Sequence, residues 1–183
     1  MSLFLKLKIF LKIIKEKSNF FGSDQIRRIR KIKEIIVQTR EANDIENCQG
    51  DSLNAFDQAQ FIDMRNRFTL AIPRSNPTPI YNCHGLVFAS RRTGISNTEE
   101  IQKIIKDDKY IEVELNNVLP GDIVLYYSLD GDIEHSGLVV SKPDRDLHLP
   151  FVCSKWGKYR EMVHSATFCP YNVSLMRYYR IKE

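Results

Sequence analysis

The sequence predicts an α+β protein with an antiparallel sheet, and three observations carry that expectation. Helix signals dominate up to about residue 106, the apolar pattern changes to period two from about residue 110, and turn residues separate most of the later runs. With 183 residues there is room for one domain plus an appendage, and 43% hydrophobic content with 8 Gly and 7 Pro excludes a disordered or fibrous chain.

Residues 3–17 suit a short helix in which Lys8, Lys12 and Lys15 share one side while Leu, Ile and Phe cover most of the rest. Ser23 or Asp24 is an N-cap for a second helix to about Arg40, with Ile26, Ile29, Ile32 and Ile36 as its buried stripe. The polar stretch 41–54 reads as a loop, and a third helix covers about 55–66. Pro73, Pro77 and Pro79 then impose an extended approach to Tyr81, because each proline disfavours helix in the residue before it. A buried helix begins at or near Cys83. Ser96, Asn97 and Thr98, followed by Glu99 and Glu100, carry a capping-box signature for a helix to about Lys106. Strands are expected at 110–115, 122–129, 135–141, 150–156 and 174–181, all rich in β-branched and aromatic residues. The division this gives is a basic amphipathic arm at 1–22, a helical extension at 23–60, and the main α+β domain at 61–183.

The formal net charge of +4 is unevenly placed: residues 1–40 hold 11 Lys/Arg against 3 Asp/Glu, and the remainder 16 against 20. The basic segment 3–40 is therefore the candidate surface for an anionic membrane or a protein partner, and the acidic body makes no case for nucleic acid. The apolar side of helix 3–17 packs on the body or a second copy of the chain, or else lies in a membrane interface. Lys6, Lys8 and Lys12 interrupt what would be a signal peptide's apolar region, and no stretch is long and apolar enough to span a bilayer. The expectation is a cytoplasmic protein, with peripheral membrane association through the arm as an option. Four cysteines, Cys48, Cys83, Cys153 and Cys169, are too sparse for a disulfide scaffold, so reduced thiols are expected. No CxxC pair occurs and a zinc held by Cys153, His164 and Cys169 lacks tight ligand spacing, so no metal or cofactor is implied.

Cys83 stands out chemically. At a helix start, unsatisfied backbone N–H groups favour a thiolate and can receive the oxyanion formed when it attacks a carbonyl. Such a nucleophile needs a base, usually histidine. His84 is adjacent in sequence, so on a helix it points about 100° away. His148 lies in a polar turn. His135 opens a strand and is followed by Ser136 and Gly137, which leave space around it; it is the expected base.

Asn82-Cys83-His84-Gly85-Leu86-Val87 resembles the Asp-Cys-Ser-Gly-Leu-Val nucleophile motif of the NlpC/P60 cysteine peptidases, a branch of the papain-like superfamily. Leu119-Pro120-Gly121-Asp122-Ile123-Val124 resembles the Pro-Gly-Asp segment of that family and of the related CHAP amidases, and His135-Ser136-Gly137-Leu138-Val139 resembles its His-x-Gly-Ile-Tyr strand. The three stand in the family's order. The resemblance implies a papain-like domain, with the helix bearing Cys83 packed on an antiparallel sheet, and a thiol peptidase or amidase acting on a peptide or peptidoglycan-like amide. Asn82 replaces the family's Asp, His84 replaces its Ser, and no upstream tyrosine has a clear counterpart, so peptidoglycan specificity is not carried over.

In that family a polar residue on the strand after the histidine orients the imidazole. Ser154 is the closest positional match and His164, on a loop, is its rival. Asn82, His84 and Trp156 are the candidates for contact with substrate or oxyanion, Trp156 being either groove wall or core. The expected activity is hydrolysis of an amide or isopeptide bond through a Cys83 thioester. The alternatives are acyl transfer on the same fold, or a catalytically silent binding module docked by the basic arm.

Overall fold

Asn54 and Asp57 cap each other's backbone N–H groups, and this capping box starts helix α1, Ala55–Arg67, which buries Phe61. In the computed structural model, which describes residues 35–143 and 148–182, a short strand β1 at Ile72–Pro73 follows, then helix α2 at Cys83–Phe88 and helix α3 at Thr98–Asp107. The strands are β2 at Tyr110–Val113, β3 at Ile123–Tyr127, β4 at Ile133–Val139, β5 at Phe151–Lys155, β6 at Glu161–Ser165 and β7 at Met176–Ile181. Among the described residues they form one seven-stranded sheet in the order β1-β6-β5-β4-β3-β7-β2, with every pairing antiparallel. The α+β class with an antiparallel sheet is as the sequence predicts.

The sheet is buried on both faces because its alternating side chains feed two separate cores. Val124, Tyr126, Val139, Val152, Trp156, Met162 and Tyr178 pack with Phe61 of α1. Ile123, Leu125, Ile133 and Tyr179 pack with Ile101 and Ile104 of α3 and with Ala89 and Ile95. Val37 and Ile45 belong to that second core.

This last observation corrects the helix expected to reach Arg40. Residues 35–48 hold no helix; Gln38 and Asp44 form an antiparallel bridge, and Ile36, expected in a buried stripe, is 79% exposed. The described residues 35–54 of the expected helical extension therefore hold no helix; Val37, Thr39 and Ile45 are buried and most of the others exposed. The arm at 1–22, with its expected helix at 3–17, lies outside the described residues. Two strands, β1 and β6, also appear where loops were expected. β6 is short, but its main chain pairs fully with β5, Val152 opposite His164 and Ser154 opposite Met162.

Helix α3 begins as expected, but not by a capping box. Asn97 is the N-cap without a side-chain cap bond; its amide donates to Glu46 Oε2 (3.1 Å), while Thr98 Oγ1 accepts from the Ile133 N–H (3.0 Å). The second bond ties α3 to the start of β4, close to the site. A register shift between Tyr126 and Tyr127 sets Tyr126 opposite His135 and Tyr127 opposite Ile133, so Glu134 is the extra, exposed residue of a β-bulge. Bulges bend a strand and re-aim its side chains. Here the re-aimed residue is His135.

Candidate active site

The approach to Cys83 is built by the prolines and by the β5–β6 hairpin. With helix disfavoured before each proline, the segment 73–81 runs extended and bonds along the hairpin: Arg74 N–H donates to Glu161 O (2.7 Å) and Thr78 N–H to Lys158 O (3.0 Å). The Tyr81 hydroxyl donates to Glu161 Oε1 (2.7 Å), and Arg91 grips the same carboxylate through Nε (2.6 Å) and Nη2 (3.1 Å). Lys155 is fully buried, its ammonium donating to the carbonyls of Thr78, Gly157 and Tyr159 at 3.0, 2.7 and 3.0 Å. Burial pulls its pKa down to about 8. These bonds fix the chain immediately before helix α2.

Asn82 ends that segment as the N-cap of α2. Its Oδ1 accepts from the N–H groups of Gly85 (2.9 Å) and Ile95 (3.2 Å), while its Nδ2 donates to Ile95 O (2.6 Å). The amide thus ties the start of α2 to Ile95, a structural part beside the contact with substrate or oxyanion that the sequence suggests. Asn82 O takes the Leu86 N–H. Among the described residues, the Cys83 and His84 N–H groups are the first-turn donors that this cap leaves open. Gly85 allows the close approach that seats the helix, since a Cβ there would stand 1.8 Å from Thr93 O.

Helix α2 packs against β4 and β5, and this brings Cys83, His84 and His135 together, all buried. The Cys83 thiol is held well below its ordinary pKa: burial pushes it up, but the charges of His84 and His135 close to it pull it further down. His84, set aside on angular grounds, shares the thiol. Burial opposes its charged form, yet the Cys83 charge, hydrogen bonding to that sulfur and the Ile133 carbonyl raise its pKa overall, and its Nδ1 lies 2.9 Å from Ser136 Oγ. Both side chains of the first turn are buried where α2 packs on β4.

His135 is fully buried, and burial lowers its pKa although the Cys83 charge acts to raise it. In this resting geometry, however, neither Nδ1 nor Nε2 completes a hydrogen bond with any described residue. The imidazole is within electrostatic reach of the sulfur but not closed onto it, as is common before substrate tightens a catalytic pair. A buried polar side chain without partners is costly, and such groups concentrate where function needs them free.

The expected orienting residues sit elsewhere. Ser154 Oγ is 2.8 Å from His164 Nε2 and accepts from Trp156 Nε1 (3.0 Å), while His164 Nδ1 donates to Ser165 O (2.8 Å). That bond to a carbonyl fixes His164 as the Nδ1–H tautomer, so Ser154 donates its one proton to Nε2. Burial drives the His164 pKa to about 4, so the ring is neutral. His164 is a strand residue rather than a loop residue, and it and Ser154 bond each other instead of His135. Trp156 is fully buried with its ring edge-on to Phe68 at 5.1 Å; it belongs to the core and walls no groove. His148 is exposed, as expected.

The sequence reading missed Tyr171. Its ring lies on the His135 imidazole with centroids 3.6 Å apart and planes 10° from parallel, and Tyr126 flanks the same imidazole at 5.1 Å. Tyr171 lies between β6 and β7, 36 residues along the chain from His135, and no local motif announces it. Among the described residues no group of three His, Cys, Asp or Glu side chains is placed to hold a metal, and no helix is long and apolar enough to cross a membrane. The chain matches no family model, no curated protein and no solved structure.

Proposed function

We propose that the protein is a cysteine hydrolase acting on an amide or related acyl bond, with Cys83 as nucleophile on a papain-like fold of NlpC/P60 type. One observation carries the reading: a buried thiol at a helix start lies between two buried imidazoles that draw its pKa down, and one of them has both ring nitrogens unpartnered. An inert buried cysteine would show the opposite shift, as Cys169 does, where burial pushes the thiol up to about 11.

In the reaction, the Cys83 thiolate attacks the carbonyl carbon and forms a carbon–sulfur bond. The proton it gave up is taken by His135. The open N–H groups of Cys83 and His84 are the nearest donors for the oxyanion. As the tetrahedral species collapses the carbon–nitrogen bond breaks, and His135 delivers the proton to the departing amine. A water, deprotonated by the now neutral His135, then cleaves the thioester to acid and regenerated thiol. His84, held by Ser136, supports the thiolate electrostatically before the attack and again when it is released.

Acyl transfer is the second reading, favoured by burial: Cys83 is 5% exposed and His135 fully enclosed. A site closed to bulk water preserves a thioester for an amine acceptor.

The test is acylation by p-nitrophenyl acetate followed by peptide mass mapping. The reading expects an acetyl thioester on Cys83 that forms in a burst, disappears in Cys83→Ser and slows by about 10²-fold in His135→Ala, the usual scale of a lost general base. Acetylation of Cys83 no faster than that of exposed Cys48 would contradict it. Adding an amine acceptor separates the two readings by whether it or water releases the acetyl group.

A further inference from the structure

We infer that Tyr171 is the positioning residue of the site, holding the His135 imidazole by ring stacking where a Cys–His centre ordinarily uses a hydrogen bond to a third polar side chain. The inference rests on the proposed role of Cys83 and His135 and goes beyond it in assigning the missing third member.

An imidazole on a strand can turn about its χ2 bond unless something fixes its plane, and a base must present a nitrogen to the thiol within hydrogen-bond reach. In this molecule no hydrogen bond does so, because both ring nitrogens of His135 lack partners among the described residues. The two side chains the sequence offers for the task are used up on each other, Ser154 with His164 at 2.8 Å. What does hold the ring is the near-parallel phenol face at 3.6 Å, with Tyr126 tilted at 49° beside it. Stacking fixes the plane of the imidazole without occupying either nitrogen, so the one facing the thiol can take its proton and pass it to the leaving group.

The phenol is itself well anchored. Its loop departs from β6 through Ala166, whose N–H donates to Pro150 O (3.0 Å) and whose carbonyl accepts from the Tyr126 hydroxyl (2.8 Å). Ala166 and Cys169 are buried in the core that includes Trp156. The Tyr171 hydroxyl feels burial first and then the Cys83 charge, both of which raise its pKa, so the phenol stays neutral and lies near the sulfur. When His135 takes up the thiol proton, a neutral phenol face against it favours the imidazolium as a cation–π partner. Tyr171 therefore acts on His135 both before and after the proton moves.

A double-mutant cycle on the full chain tests this, reading the pH inflection for alkylation of Cys83 by iodoacetamide, with peptide mapping to separate Cys83 from the other thiols. In wild type and in Tyr171→Phe, which keeps the ring, adding His135→Ala is expected to raise the inflection by about one unit, a tenfold change in thiolate at a given pH. In Tyr171→Leu the same His135→Ala change should move the inflection by less than about a third of that. An undiminished shift in Tyr171→Leu overturns the role of Tyr171 while leaving the Cys–His reading intact. No shift on His135→Ala in wild type overturns both. Should Tyr171→Leu fail to fold, the carbon-bound ring protons of His135 in the wild-type NMR spectrum decide the matter: an upfield ring-current displacement that Tyr171→Phe preserves is expected, and unshifted resonances overturn the stack.

Discussion

Asn82 and Ile95 exchange two hydrogen bonds, Nδ2 to the Ile95 carbonyl at 2.6 Å and the Ile95 N–H to Oδ1 at 3.2 Å. The side-chain amide thus imitates a strand's main chain and fastens helix α2 to the segment leading into α3. An aspartate, which the resemblance would place here, accepts but cannot donate. Asn82→Asp is expected to leave the fully buried Ile95 carbonyl unpaired, at a cost of about 1–3 kcal/mol in urea unfolding. The added carboxylate should also raise the Cys83 alkylation inflection, since like charge disfavours the thiolate. Unchanged stability would mean that the paired geometry contributes nothing.

Gly85→Ala tests how tightly α2 is seated. The new Cβ would stand 1.8 Å from Thr93 O and 2.9 Å from Thr93 C, backbone atoms that cannot rotate aside. The helix must move, and a loss of about 3 kcal/mol or more is expected, at the upper end for overpacking. A loss below about 1 kcal/mol would contradict the close approach.

Ser154→Ala separates the buried network from the reactive centre. Trp156 Nε1 already lies 3.4 Å from His164 Nε2 and can pair with it directly once the hydroxyl is gone, so the stability cost should be modest, about 1–2 kcal/mol. The Cys83 inflection should not move. A rise matching that of His135→Ala would restore Ser154 as the orienting residue.

Acid stability should depend on two buried carboxylates. Asp122 bonds Arg180 at 2.6 and 2.8 Å and accepts the Leu119 N–H (2.7 Å); burial alone would raise its pKa, but these bonds bring it below its ordinary 3.8. Glu161 likewise falls below its ordinary 4.5, with burial opposed by Arg91 and Tyr81. A folded pKa below the unfolded one means that the unfolded chain binds more protons, so the contribution is complete above the ordinary value and lost as pH falls through the folded one. Unfolding free energy should therefore decline with acid below about pH 4.5, and Glu161→Gln and Asp122→Asn should each flatten that decline while lowering stability at neutral pH. Parallel acid limbs in wild type and variants would contradict this.

The legible parts of this molecule are those written in local patterns. The period-two runs at 122–129 and 150–156 became β3 and β5, the prolines before Tyr81 gave the extended approach, and Cys83 begins a buried helix. Residues 35–40 misled because their apolar spacing also suits an extended segment whose alternate residue Val37 is buried while Ile36 is exposed, and the Gln38–Asp44 bridge decides between the two. β6 was missed because Glu161 and His164 read as polar loop residues, although both are buried by partners distant in sequence, Arg91 with Tyr81 and Ser154 with Trp156. The same holds at the site: Cys83 and His135 carry local signals, whereas Tyr171 reaches the imidazole through tertiary packing alone, and His84 joins the thiol only because α2 lies against Ser136.

The central claim is that two imidazoles make Cys83 a thiolate, and the pH dependence of its iodoacetamide alkylation in the full chain tests it most directly. The account predicts a single inflection well below the ordinary thiol value of about 8.5, raised by His84→Ala and by His135→Ala separately. An inflection at the ordinary value, unmoved by either substitution, would contradict it.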